Sequence, residues 1–263
     1  MEPKQPLEFY GEPLPGVDTS ELHGKLIAIE GPDSVGRTTQ INWLRNWLQQ
    51  QGHAVMDTGM ARSPLAGKGI QKAKEGNTFG PVTMTLFYAT DFGDRLENEI
   101  IPALRAGFVV LTDRYIFSLM ARAIARGEDR RWIEQVSSFA LVPHVVYYLR
   151  AEVKDLVSRV VLGRGAFDYW ESGMDVRFGP DMHSSFVRYQ TRLIRAMDGM
   201  AKKYNFVTLD ATRSQEAIQQ LLQRSIARLF GPPKAPRRRR AKAQVTAAHS
   251  RTQMSLRLRK SSA

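Results

Sequence analysis

Lys25-Leu26-Ile27-Ala28-Ile29-Glu30-Gly31-Pro32-Asp33-Ser34-Val35-Gly36-Arg37-Thr38-Thr39-Gln40 is the stretch that decides the fold of this 263-residue chain. Leu26 to Ile29 form an apolar run of the length of a buried strand. Beyond the loop, Ile41, Trp43, Leu44, Trp47 and Leu48 recur at helical spacing up to Gly52, a natural stop. The segment between strand and helix fits G-x-x-x-x-G-K-[ST], with Arg37 where lysine is usual. Backbone N–H groups of such a loop wrap phosphates, and the positive end of the following helix dipole favours them. A strand-to-helix turn without a ligand is the alternative that this context opposes.

Strand and helix signals alternate outward from that unit. Strands are predicted at Ala54-Val55-Met56, Phe108 to Thr112, Val145 to Leu149 and Phe206 to Leu209. Helices are predicted near Gly69 to Glu75 and over Thr83 to Leu104, Phe117 to Arg126, Glu152 to Leu162, about 181–203 and Ser214 to Phe230. Five short apolar strands joined by helices imply right-handed crossovers and a parallel sheet covered on both faces. Ligands of such sheets bind beyond the carboxyl ends of the strands, where Glu30, Asp57, Asp113 and Asp210 are expected.

The formal net charge of +12 is unevenly placed. Residues 231–263 hold ten Lys and Arg and no Asp or Glu, so only 28 basic face 26 acidic side chains elsewhere. Pro232-Pro233-Lys234-Ala235-Pro236 followed by four arginines reads as a disordered basic tail, able to touch nucleic acid or an anionic surface weakly, or merely solubilising. Residues 1–23, with Pro3, Pro6, Pro13 and Pro15 and no sustained apolar period, read as an extended arm. The folded domain is expected over 24–230. The absence of cysteine excludes disulfides, thiolate catalysis and Cys-based zinc sites, and the five histidines show no metal-ligand spacing. With no charged start before an apolar stretch and no run of 18 apolar residues, a soluble cytoplasmic protein without a membrane span is expected.

Asp113 closes an apolar strand, the position from which a carboxylate reaches Mg²⁺ beside a phosphate loop, and Arg114 follows it. A strand-end ion pair is the plainer alternative. Arg159 and Arg164 fall in a helix and polar loop near 155–175. A closing segment with arginines stabilises charge on a migrating phosphoryl group, whereas a solvated basic face would do nothing of the kind.

Taken in order, Glu30-Gly31-x-Asp33-x-x-Gly36-Arg37-Thr38-Thr39-Gln40, Leu86-Phe87-x-Ala89-x-Asp91, Asp113-Arg114-Tyr115-x-x-Ser118-x-x-Ala121 and Arg159-x4-Arg164-Gly165-x2-Asp168-x2-Glu171 resemble the thymidylate kinase family, a branch of the P-loop nucleoside monophosphate kinases. The resemblance covers roughly residues 24–230. It implies a three-layer α/β P-loop NTPase fold with a five-stranded parallel sheet, helices on both faces and a lid at about 159–180. It also implies transfer of a phosphoryl group from ATP, with Mg²⁺, to a deoxynucleoside monophosphate, thymidylate leading, and a homodimer.

By the same resemblance, Gly31, Pro32, Asp33, Ser34, Val35, Gly36, Arg37, Thr38 and Thr39 hold ATP, and Thr38 and Asp113 hold the metal. Arg37, Asp113, Arg114, Arg159 and Arg164 are the catalytic set. Asp33, Phe87, Asp91, Arg114, Ser118 and Arg122 bind the acceptor. Ser34 and Val35 carry no charge, so positive charge at the transferred group comes from the lid.

Besides Arg37, four segments depart from the family pattern, and the four converge on acceptor recognition. Thr58-Gly59-Met60-Ala61 replaces T-R-E-P, with Arg62 displaced; Phe92 replaces an arginine; Arg122-Ala123 replaces an aromatic-Gln pair; and Asp168-Tyr169-Trp170-Glu171 replaces D-R-x-E. Two other readings stay open from the residues. One is a weakly active or non-catalytic nucleotide-binding module docked by its tail on nucleic acid or a partner. The other is a kinase for a different phosphorylated small molecule.

Overall fold

A computed structural model describes residues 6–76 and 78–230. Five strands, β1 (Lys25–Glu30), β2 (Val55–Gly59), β3 (Val109–Asp113), β4 (Val145–Arg150) and β5 (Val207–Asp210), pair in the order β2-β3-β1-β4-β5. All pairings are parallel, as the alternation of strand and helix signals predicts. Leu26, Ile27, Ala28 and Ile29 of the central strand are fully buried, consistent with a sheet covered on both faces.

The helices are α1 (Arg37–Gln50), α2 (Gly67–Gly76), α3 (Pro81–Arg95), α4 (Ile101–Arg105), α5 (Ile116–Arg126), α6 (Arg130–Val136), α7 (Val153–Arg164), α8 (Met182–Lys203) and α9 (Gln215–Phe230). One long helix is predicted over 83–104. The structure divides that stretch into α3, a π-helical turn at Leu96–Ile100 and α4, where Pro102 has no N–H to give to the regular ladder. Helix α6 has no counterpart among the predicted elements. Its seven residues are too few for a period to show, and it is started by the Asp129 carboxylate accepting from the Trp132 N–H.

Register brings the chemistry to one level. Ile29 lies opposite Asp113, Gly59 lies on the other side of Asp113, and Glu30 lies opposite Tyr148. A Cβ at Gly59 would stand 2.8 Å from the Asp113 carbonyl oxygen, so glycine permits this approach. Asp57 is the one expected strand-end acid that is displaced. β2 runs three residues further than predicted, leaving Asp57 mid-strand and paired with Arg45 at 2.9 Å.

The described part of the N-terminal arm lies against the domain. Leu7 and Leu22 are buried, Phe9 bridges to Leu141, and the Tyr10 ring packs edge-on against Phe117 and Tyr204. The chain separates into two units at Gln223, and residues 224–230 of the second carry α9 to its end. The basic segment 231–263 lies outside the described residues. Among those described, no helix is long and apolar enough to cross a membrane.

Candidate active site

β1 delivers Glu30 into the centre of the molecule. Fully buried, its carboxylate accepts from the N–H groups of Tyr115 (2.8 Å) and Ser118 (3.2 Å) and from the Ser118 hydroxyl (2.5 Å). Glu30 thus ties the loop start to the first turn of α5, where the helix dipole welcomes a negative charge. Burial raises its pKa, with the hydrogen bonds from Ser118 and Tyr115 working in the opposite direction. Ser118, expected at the acceptor, spends its hydroxyl on this carboxylate.

The loop turns through positive φ at Gly31, Ser34 and Gly36. A Cβ at Gly31 would stand 2.7 Å from the Leu149 carbonyl oxygen. Gly36 starts α1 without a side-chain cap, and a cavity lined by Ser34, Val35, Gly36, Arg37, Thr38 and Thr39 opens at that N-terminus. Backbone N–H groups at such a site suit phosphate.

The Arg37 side chain does not extend out of the loop. It is buried, with Nε donating to Asp113 Oδ1 at 2.8 Å and Nη1 donating to the carbonyls of Gly31 (2.6 Å) and Pro32. Thr38 Oγ1 donates to the other Asp113 oxygen at 3.0 Å. A hydroxyl and a carboxylate converging beside a phosphate cradle are the hard oxygen donors that Mg²⁺ takes together with phosphate and water, so the residues present fit the metal. Arg62 stands next to them, 3.8 Å from Asp113 and 3.7 Å from Asp57.

Arg159 and Arg164, expected in a lid, lie in α7 and both reach the loop. Arg159 donates to the carbonyls of Val35 (3.1 Å) and Ala211. Arg164 donates to the Ser34 hydroxyl at 3.0 Å and pairs with Glu171. Asp168 accepts from the N–H groups of Trp170 and Glu171, both at 2.9 Å, fixing the turn that presents Glu171 to Arg164.

Asp33 joins this loop to a second cavity, of about 240 Å³. Its carboxylate accepts from Arg114 and from Arg122 at 3.1 Å. Arg114 adopts φ +71, which swings its side chain from the end of β3 towards the loop. Burial, together with the charge of Arg122, pulls the Arg114 guanidinium down to about 9, so it stays protonated at neutral pH. Beyond Asp33 the walls include Lys74, Tyr88, Arg126, Trp170 and Tyr189.

Three expected acceptor residues, Ser118, Phe87 and Asp91, do not line this cavity. The Phe87 ring packs on Phe79 with centroids 4.6 Å apart, and the next residue, Tyr88, faces the cavity instead. The reason is helical phase: Met84, Thr85 and Tyr88 share a face of α3, and that spacing was readable in the sequence. Asp91 is buried, accepting from the N–H groups of Ala61 and Ser63 (both 2.9 Å) and pairing with Arg95. It shapes the loop after β2 from behind.

Lys74, Arg126 and Trp170 line the cavity without having been singled out. Arg126 donates to Asp175, to the Tyr189 hydroxyl and to the Trp170 carbonyl, and Trp170 donates its indole N–H to the Lys74 carbonyl at 2.9 Å. These contacts join elements far apart in sequence, so no local pattern marks them.

Fold and site define a P-loop α/β protein whose loop adjoins a second cavity, lined by four basic and four acidic side chains. Residues 29–222 match the family model described as Thymidylate kinase. The chain is 32% identical to "Probable thymidylate kinase 2" of Saccharolobus solfataricus, over 75% of this chain and 93% of that protein. It is 33% identical to "Probable thymidylate kinase" of Pyrococcus horikoshii, over 54% and 72%, and 26% identical to "Thymidylate kinase" of Prochlorococcus marinus, over 80% and 97%. The chain belongs to the thymidylate kinase family, and with it to the nucleoside monophosphate kinases.

Proposed function

We propose that this protein moves the γ-phosphoryl group of ATP onto the phosphate of thymidylate, with Mg²⁺, in the cytoplasm. The carrying observation is Asp33, a loop residue that accepts from both Arg114 and Arg122 and so makes the phosphate cradle and the second cavity continuous. The loop backbone from Gly31 to Thr39 holds the donor phosphates, and Thr38 and Asp113 hold the metal. Mg²⁺ would neutralise charge on the phosphates it touches. Arg159 and Arg164 bring positive charge over the loop, while Arg114 lies between the two halves. The acceptor phosphate is itself an anionic nucleophile, so positioning and charge stabilisation suffice without a strong base.

The test is the full chain with Mg-ATP and a panel of nucleoside monophosphates, followed for diphosphate. Thymidine diphosphate as the preferred product is the expected result. ATP binding without any diphosphate would favour the non-catalytic module, a reading to which the inward-turned Arg37 lends support.

Thr38→Ala is expected to lose most of the Mg²⁺ dependence of turnover, and Mg-ATP is expected to raise the melting temperature of the parent by mass action. An unchanged Mg²⁺ titration in the variant, or no thermal shift at millimolar Mg-ATP, would count against the loop assignment.

Two partner readings accompany the function. A homodimer follows from the family resemblance and is checked by sedimentation. Weak nucleic-acid contact follows from the ten positive charges of residues 231–263. Deleting 232–263 is expected to leave turnover nearly intact while abolishing salt-sensitive DNA or RNA binding. A steep salt slope surviving in the truncated protein would move that contact to the domain.

A further inference from the structure

The walls of the second cavity follow an order from the phosphate loop outward. Asp33, in the loop, accepts from Arg122; Arg122 reaches on to the Tyr88 hydroxyl at 3.5 Å; and the Lys74 ammonium flanks the Tyr88 ring, 5.8 Å from its centroid. Lys74 also lines an outer cavity with Gln71, Glu75, Tyr169 and Trp170. An acceptor whose phosphate lay at the loop end would extend its base towards Tyr88, an aromatic ring in the cavity wall.

The cations along this path differ in what already holds them. Arg114 and Arg122 are paired with Asp33, and Arg126 with Asp175. Lys74 forms no ion pair with a described carboxylate and instead meets the Tyr88 phenol. Burial would raise that phenol's pKa, but the charges of Arg122 and Lys74 outweigh it and lower the value. Lysine and arginine side chains offer donors and no acceptor.

We propose that Lys74 is a specificity-determining residue of the acceptor site: with Arg122 it donates to carbonyl oxygens of a base stacked on Tyr88, selecting an oxo-pyrimidine monophosphate over an amino-substituted one. The proposal rests on reading this cavity as the acceptor site. An exocyclic amino group would set donor against donor and leave the ammonium desolvated without an acceptor, a mismatch that polar sites reject strongly. Because Trp170 is held by the main-chain carbonyl of Lys74, replacing the side chain leaves that contact in place.

The experiment compares the parent, Lys74→Met and Lys74→Arg as full chains with Mg-ATP, using dTMP and dCMP as acceptors. Lys74→Met is expected to raise KM for dTMP on the order of tenfold and to narrow the dTMP-to-dCMP ratio of kcat/KM by a similar factor. The KM for ATP and the melting temperature should not move, and Lys74→Arg, which keeps a donor, should retain most of the preference. If monophosphates bind without turning over, the same ratio is taken from dissociation constants. A ratio unchanged in Lys74→Met overturns the Lys74 assignment while dTMP turnover leaves the acceptor site standing. A parallel rise in KM for ATP, or a lowered melting temperature, marks a structural role and also overturns it. No binding of any monophosphate overturns both.

Discussion

Replacing Arg37 with alanine is expected to lower kcat/KM with Mg-ATP and thymidylate by about 10²–10³-fold, the effect of removing one preorganised donor, on the order of 2.7–4 kcal/mol. The guanidinium donates to two loop carbonyls and to Asp113, and all three acceptors lose their partner together. Asp113 then keeps Thr38 at 3.0 Å and the more distant Arg62 at 3.8 Å, which disturbs the oxygen pair assigned to the metal. Arg37→Lys gives the sharper result. An ammonium keeps the charge but cannot match a planar fork aimed at three oxygens, so turnover is expected to fall rather than rise. Steady-state kinetics of the three proteins decide it. Higher activity in Arg37→Lys would mean that the loop is shaped for lysine and disabled by arginine. Equal rates in all three would remove the loop from the mechanism.

The second large effect is on stability, at Glu30. Glu30→Ala leaves two N–H groups and a hydroxyl at the start of α5 without their acceptor inside the core, a loss on the order of 3–5 kcal/mol. Glu30→Gln keeps one acceptor oxygen and should cost less. Its pH dependence has a defined sign. Burial raises the Glu30 pKa in the folded state, so the folded chain binds the proton more tightly than the unfolded chain. The resulting contribution to stability is present at acid pH and is lost as pH rises from the ordinary carboxyl range through the raised value. The penalty of Glu30→Gln relative to the parent should therefore shrink over that interval. Denaturant melts between about pH 4 and about pH 8 measure it, and a penalty that grows with pH would contradict the assigned direction.

Local chemistry made much of this molecule legible in advance. The run Leu26 to Ile29, the glycines at 31 and 36 and the helical spacing after Thr39 specify the strand, loop and helix without help from elsewhere, because each signal lies within a few residues of the next. The same holds for Asp113 at the end of an apolar strand. Helix α6 fell outside that reach: Trp132, Ile133 and Val136 pack on the core, but seven residues are too few for a period to show. The expected roles of Phe87, Asp91 and Ser118 were assigned by motif position, and side-chain direction then sent Phe87 to Phe79, Asp91 to the 61–63 backbone and Ser118 to Glu30.

The sequence by itself determined the parallel α/β sheet and the phosphate loop, since these depend on short-range period and turn chemistry, and the order of its motifs resembles the thymidylate kinase family. Only the tertiary structure decided where the charges go. Arg37 turns under its own loop because three oxygens from residues 31, 32 and 113 converge there. Arg122 meets Asp33 across 89 residues, and Trp170 meets Lys74 across 96. A guanidinium takes whichever acceptors the packed chain brings within hydrogen-bond range, and partners so distant in sequence leave no spacing from which the pairing could be read.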